Sequence, residues 1–134
     1  MKISKRELMI LTGQLCPYCN EWTELRESGE LYDKDFGLLY VCPKCGAYAG
    51  VHRGTINGKG SVANKELRDA RKRAHLYFDA IWQKGLSSRT QAYKWLSLQL
   101  EIPVEITHIG MFTVEQCEKV IRICKERYGK FMPK

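Results

Sequence analysis

The sequence lacks an apolar run long enough to cross a lipid bilayer, and residues 1–13 carry charges among their apolar residues instead of a secretory signal. We therefore expect a cytoplasmic protein without a membrane partner. The sequence also lacks a P-loop, a dinucleotide-binding glycine motif, a nucleophile triad and a readable pair of catalytic carboxylates. No small-molecule substrate is evident, and an enzyme is not the favoured interpretation.

Histidine is scarce, with three residues in the chain, and none has the spacing to a histidine or cysteine that is typical of a metal ligand. Cysteine is more informative, because four of the six cysteines form two Cys-Pro-x-Cys pairs. The four are Cys16, Cys19, Cys42 and Cys45, and together they supply the ligands that a closed tetrahedral zinc site requires. Proline stiffens each turn, and Gly46 permits a positive φ after the second pair.

Two other uses of a Cys-x-x-Cys pair compete with zinc binding. A reactive dithiol of the thioredoxin type lies in a βαβ pattern, whereas here the motif occurs twice without that pattern. A disulfide framework is typical of secreted chains, and no secretory signal is readable. The sequence thus favours one structural Zn²⁺ ion, because four cysteine ligands leave no open position at which water could be activated.

The formal net charge of +7 favours an acidic partner such as nucleic acid. The positive excess lies in residues 65–75 and 119–134, whereas residues 1–60 carry eight basic and seven acidic side chains. We predict that a basic helix face contacts nucleic acid, with the residues Lys65, Arg68, Lys72 and Arg73. Aromatic residues that could stack with bases are Tyr18, Trp22 and Tyr48. The structural alternatives are a solvated helix face with a charged tail, and a Trp22 that packs against the helices.

Residues 14–54 are predicted to form a small antiparallel zinc ribbon. Polar and bulky residues alternate over 21–25, an aromatic and branched run covers 36–41, and residues 48–52 can pair as a third strand. Such a segment is too short to bury a core unaided, so we expect a bound metal ion to cross-link the ribbon at the end that carries the cysteine pairs. Residues 55–63 are rich in glycine but lack the order of a phosphate-binding loop, and we interpret them as a flexible linker.

The hydrophobic period changes from two to 3.6 at Asn64, and residues 64–128 are predicted to form a three-helix unit packed on the ribbon. The predicted N-caps are Asn64, Ser88 and Thr113, the last two with a glutamine three residues further on. Cys117 and Cys124 lie on the apolar stripe of the third helix, where we expect them to act as core residues. Residues 129–134 form a basic tail, and the predicted fold class is α+β.

Several stretches of the chain are unusual: Cys-Pro-Tyr-Cys at 16–19, Val-Cys-Pro-Lys-Cys-Gly-Ala-Tyr at 41–48, Val-His-Arg-Gly-Thr at 51–55, Gly-Ser-Val-Ala-Asn-Lys-Glu-Leu-Arg at 60–68 and His-Ile-Gly-Met-Phe at 108–112. In these stretches the sequence resembles a bacterial and phage family described only as a zinc-finger-containing domain of unknown function. The resemblance covers most of residues 14–124. It implies zinc on Cys16, Cys19, Cys42 and Cys45 and brings no established activity. The chain departs from the family pattern after Thr55, where residues 57–61 replace an expected Pro-Leu-Gly-Thr-like run.

Two further functions compete with nucleic-acid binding. A small bacterial or phage protein of this type can act as a protein-binding adaptor or inhibitor, with the ribbon presenting aromatic residues to its partner. A zinc-stapled His-Asn-His nuclease also places two Cys-x-x-Cys pairs around its catalytic residues, and the chain offers His52, Asn64 and His75. The usual doublet of such a site, His-His or Asp-His, is absent at Val51-His52. Because Asn64 is also predicted as an N-cap and His75 lies on the helix face away from the apolar stripe, the nuclease is the least favoured of the three.

Overall fold

The computed structural model describes residues 3–30 and 37–133, and the chain divides into two compact units, Met1–Lys65 and Glu66–Lys134. The described part of the first unit contains helix α1 (Lys5–Leu11) and strands β1 (Glu24–Glu27), β2 (Leu38–Val41) and β3 (Tyr48–Gly50). Helix α2 (Lys65–Gln83) begins at the end of the first unit, and the second unit continues with α3 (Arg89–Leu100) and α4 (Val114–Tyr128). The α+β class predicted from the sequence is confirmed.

The three strands of the first unit form one antiparallel sheet in the order β1-β2-β3. Val41 in the central strand pairs with Glu24 on one side and with Tyr48 on the other. The first strand begins later than the predicted residue 21, because Glu21 and Trp22 belong to the turn that carries the first cysteine pair. Residue 36, where the second strand was predicted to begin, lies outside the described residues.

Residues 55–63 are held against this sheet by backbone contacts. The Lys59 N–H donates to the Gly50 carbonyl at 2.9 Å, and Gly58 forms a β-bridge with Val51. A Cβ added to Gly58 would lie 2.0 Å from the carbonyl oxygen of Thr12, so glycine is needed here for close backbone approach. The segment is therefore a hydrogen-bonded part of the first unit, which differs from the flexible linker predicted from its glycines.

Helix α1 was not expected from the sequence, because its apolar residues 8–11 are consecutive and its seven residues are too few to show a helical period. The sequence feature that indicates this helix is its N-cap. The hydroxyl of Ser4 accepts a hydrogen bond from the Glu7 N–H at 3.1 Å, which satisfies one of the backbone donors at the helix start. Ser4-x-x-Glu7 has the sequence pattern of a capping box, so this helix could have been recognised from its first four residues.

The second unit has a continuous apolar core, because each of its three helices contributes a buried stripe. The central residues of this core are Phe78, Ile81, Leu96, Phe112, Val120 and Cys124. The predicted caps of α3 and α4 are present: Ser88 accepts from the Gln91 N–H, and Thr113 and Gln116 form a reciprocal capping box. Among the described residues, no helix is both long enough and apolar enough to span a membrane.

Two connections in the second unit are fixed by contacts to its helices. Both Nε and Nη2 of Arg71 donate to the carbonyl oxygen of Phe112, at 3.1 and 3.0 Å, which attaches the loop before α4 to α2. After α4, residues Gly129–Phe131 form a 3₁₀ turn and Met132 is buried in the core. The described part of the predicted basic tail is therefore folded against the helices.

Candidate metal centre

The two Cys-Pro-x-Cys turns have the same backbone structure. In the first, the Cys16 N–H donates to the Glu21 carbonyl and the Asn20 N–H donates to the Cys16 carbonyl, both at 2.9 Å. In the second, the Cys42 N–H donates to the Ala47 carbonyl at 2.8 Å, and the Gly46 N–H donates to the Cys42 carbonyl at 2.9 Å. Each turn thus holds its first cysteine at a fixed point of a tight loop.

The residue after each second cysteine has a positive φ, 58° at Asn20 and 79° at Gly46. Only Gly46 was singled out from the sequence. Asparagine tolerates the left-handed region better than other non-glycine residues, so Asn20 can occupy the equivalent position in the first turn. A hydrogen bond from the Arg6 guanidinium to the Asn20 side chain links this turn to α1.

The four predicted ligands come together at one point. The sulfur atoms of Cys16, Cys19, Cys42 and Cys45 all lie within 4.8 Å of one another. The Sγ atoms of Cys16 and Cys45, which come from different pairs, are 3.6 Å apart. Zn–S bonds of about 2.3 Å in a tetrahedron require sulfur atoms separated by ~3.8 Å, so the arrangement fits a zinc ion.

The geometry argues against two independent dithiols. A redox Cys-x-x-Cys pair forms a disulfide within its own motif, with an S–S distance of about 2.0 Å. None of the six cysteines is disulfide-bonded, and a close sulfur contact joins Cys16 of the first motif to Cys45 of the second. Convergence of both motifs on one point is the arrangement expected for a shared metal ion.

The environment of the thiols differs from residue to residue. Burial raises the pKa of Cys16, while the thiol of Cys45 and then burial raise the pKa of Cys19 to about 12. At Cys42 burial opposes ionisation, but hydrogen bonds from the backbone N–H groups of Cys45 and Lys44 prevail and lower its pKa to about 7. These N–H groups point at a sulfur that carries negative charge when it binds metal.

Cys117 and Cys124 lie elsewhere, on the buried face of α4. Both side chains are fully inaccessible to solvent and belong to the core of the second unit. Burial raises the pKa of Cys117 to about 11 and that of Cys124 to about 12, so both are protonated near neutral pH. They act as small apolar residues, as their positions in the sequence predicted.

The predicted nucleic-acid residues share one side of α2. Lys65, Lys72 and Arg73 are exposed and Arg68 is half-buried, whereas Ala74 of the same helix is fully buried. Helical geometry places these cations around the solvent face, because each residue turns the helix by 100°.

The three aromatic residues proposed for stacking belong to the first unit. Trp22 is 60% exposed and Tyr18 is 45% exposed, whereas Tyr48 is half-buried in β3. Much of the Trp22 and Tyr18 surface is therefore accessible. The hydroxyl of Tyr18 accepts a hydrogen bond from the Asn64 N–H at 3.3 Å, so this ring is held next to the start of α2.

The residues considered for a nuclease site are spread over different elements. His52 is exposed in the loop after β3, and Asn64 directly precedes α2. Nδ1 of His75 lies 3.4 Å from a carboxylate oxygen of Asp79, one turn further along α2. Within residues 3–30 and 37–133, the cysteine cluster is the single group of three or more His, Cys, Asp or Glu side chains that could hold a metal ion.

Comparison with known proteins agrees with the geometry of the cysteine cluster. Residues 12–127 match the family described as a zinc-finger-containing domain. Neither the curated proteins nor the solved structures include a significant match. The match covers most of the chain and contains both cysteine pairs, so the protein belongs to this family of zinc-finger-containing domains, whose function is unknown.

Proposed function

We propose that the chain is a nucleic-acid-binding protein whose first unit is held together by one structural Zn²⁺ ion. Four sulfur ligands occupy every position of a tetrahedral zinc ion, so the metal would not activate water. The buried cluster around the site is small: Cys16, Cys42, Ala47 and Val62. A unit with so few buried side chains needs a cross-link to be stable, and the ion would provide it.

The observation that carries nucleic-acid binding is the excess of cations on the solvent face of α2, where four basic residues outnumber the exposed Glu66 and Asp69. The long side chains of Lys65, Lys72 and Arg73 extend into solvent, and Arg68 lies beside them with part of its surface accessible. A helix can place several such cations along a phosphate backbone at once, and each neutralised phosphate releases counterions. Sequence-independent binding that weakens as salt is added is the expected behaviour.

Charge reversal on this face is the direct test. We would replace two exposed cations, Lys72→Glu and Arg73→Glu, because the half-buried Arg68 has a greater structural role. The measurement is fluorescence anisotropy of labelled DNA and RNA over a range of salt concentrations. Loss of two phosphate contacts should flatten the slope of log affinity against log salt by about two units on duplex DNA.

The matched control reverses two cations of another helix, Lys119→Glu and Arg122→Glu on α4, which changes the net charge by the same amount. We expect the control to retain the salt dependence of the wild-type protein. An equal loss of affinity in both variants would mean that net charge, and not the α2 face, determines binding. Absence of wild-type binding to any nucleic acid at low salt would contradict the proposed function.

A protein-binding adaptor is the second candidate, and exposed apolar side chains of the first unit favour it. Trp22 is 60% exposed and Leu25 in β1 is 41% exposed. Large exposed aromatic residues are frequent anchors of protein interfaces. This function predicts no nucleic-acid affinity at low salt, and a partner protein whose affinity falls strongly with Trp22→Ala but not with Lys72→Glu.

A further inference from the structure

A second group of cations surrounds aromatic rings at the end of α4, away from the residues discussed above. We call this group the C-terminal aromatic surface, and its residues are Lys84, Trp95, Arg127, Tyr128, Lys130 and Phe131. All six belong to the second unit. Lys84 directly follows α2, and the others come from α3, from the end of α4 and from the 3₁₀ turn that follows α4.

Ring contacts connect one half of this surface. The Arg127 guanidinium carbon lies 4.9 Å from the centre of the Tyr128 ring, within the range of a cation–π contact. The Tyr128 ring in turn meets Trp95 of α3 edge to face, with centroids 5.7 Å apart and an interplanar angle of 72°. A cation and two aromatic rings are therefore adjacent.

The other half is built around Phe131. The Lys130 ammonium nitrogen lies 5.0 Å from the centre of the Phe131 ring, and the Lys84 ammonium donates a hydrogen bond to the Phe131 carbonyl. The turn Gly129–Phe131 joins Phe131 to Tyr128, and the buried Met132 anchors it to the core. The two halves are therefore joined by a short backbone turn that is attached to the core.

This surface is open to solvent and positively charged. Phe131 is 38% exposed, and the three cations Lys84, Arg127 and Lys130 are all exposed. Glu126, the acidic neighbour of Arg127 in the sequence, is also exposed, so three cations stand against one carboxylate in this set of residues. Positive charge therefore predominates around the rings.

We propose that the C-terminal aromatic surface binds single-stranded nucleic acid, with the cations contacting phosphates and the Phe131 ring stacking against a base. This inference rests on the proposed function, and it adds a second contact region and a strand preference. An exposed ring flanked by cations matches both parts of a nucleotide, which has an anionic phosphate and a flat aromatic base. Stacking requires an unpaired base whose face is accessible, which a duplex does not offer.

The test compares wild-type and variant proteins in binding a labelled single-stranded oligonucleotide and the duplex of the same sequence, by fluorescence anisotropy. Arg127→Glu should weaken single-strand binding and flatten its salt slope by about 0.7 units for one lost phosphate contact. The matched control is Arg122→Glu, an exposed arginine on the same helix with no aromatic partner among the described residues. We expect that control to change single-strand affinity by about twofold or less.

The contribution of the ring is tested separately at Phe131. Phe131→Leu keeps an apolar side chain but removes the stacking face, and it should weaken single-strand binding about fivefold or more while duplex binding changes little. Phe131→Tyr keeps the ring and should retain the wild-type affinity. Far-UV circular dichroism and zinc content of each variant establish that the fold is intact, so that a loss of affinity reports on the surface itself.

The outcomes separate this inference from the proposed function. Loss of affinity with Lys72→Glu/Arg73→Glu but not with Arg127→Glu or Phe131→Leu would overturn the inference and leave the α2 face in place. Equal effects of Arg127→Glu and Arg122→Glu, or of Phe131→Leu on single strand and duplex, would also overturn it. A wild-type protein that binds neither form of nucleic acid would overturn both.

Discussion

Removal of zinc should unfold the first unit and leave most of the helical structure in place. We expect this because the first unit has a buried cluster of four residues, two of which are Cys16 and Cys42, whereas the corresponding cluster of the second unit has sixteen. Structural zinc contributes an apparent free energy of roughly 10–16 kcal/mol, which equals or exceeds the roughly 5–15 kcal/mol by which a typical domain is stable. We therefore expect the first unit to unfold when the ion is removed.

The expected size of the effect follows from the helix lengths. Helix α1 has 7 residues, whereas α2, α3 and α4 have 19, 12 and 15, so roughly one-eighth of the α-helical residues belong to the first unit. Chelator treatment or Cys42→Ser should thus reduce the helical signal in far-UV circular dichroism by about that fraction, with release of about one zinc per chain. Loss of most of the helical signal would show that the two units fold cooperatively, and an unchanged spectrum would refute the role given to the metal.

Two smaller predictions address the core of the second unit and the loop of the first. Replacement of Cys117 or Cys124 by alanine should lower the free energy of unfolding by about 1–2 kcal/mol through lost packing, with zinc content unchanged; a fall in bound zinc would refute their assignment to the core. Gly58→Ala should destabilise the first unit by about 1–3 kcal/mol in chemical denaturation, because the new Cβ would collide with the Thr12 carbonyl. The control is Gly50→Ala, because the nearest atom would lie 3.9 Å from its Cβ. Equal stability of the two glycine variants would contradict the close approach at Gly58.

The cysteine pairs were the part of the site that the sequence defined best. A zinc ion needs four ligands at one point, and two Cys-Pro-x-Cys turns impose so much local geometry that their convergence could be predicted without knowing the rest of the fold. The start of α4 was equally clear, since Thr113 and Gln116 form their capping box within four residues. Both motifs depend on residues that are close together in the sequence, and both are present in the structure.

Some local signals were present but overlooked. Ser4 and Glu7 mark the start of α1, which hydrophobic periodicity could not reveal because the apolar residues of this seven-residue helix are consecutive. Asn20 occupies in the first cysteine turn the position that Gly46 occupies in the second, and asparagine is the commonest non-glycine substitute at a positive φ. Alignment of the two turns with each other would have identified it.

Other features depend on parts of the chain that are distant in sequence. Glycine at position 58 is consistent with either a flexible linker or close backbone approach, and only the position of Thr12 decides between them. The exposure of Trp22 and the contact between the Trp95 and Tyr128 rings likewise follow from packing. The sequence by itself determined the metal ligands and the helix caps, because these depend on neighbouring residues. Only the tertiary structure decided which glycines, rings and cations meet, because burial and contact are properties of the assembled elements.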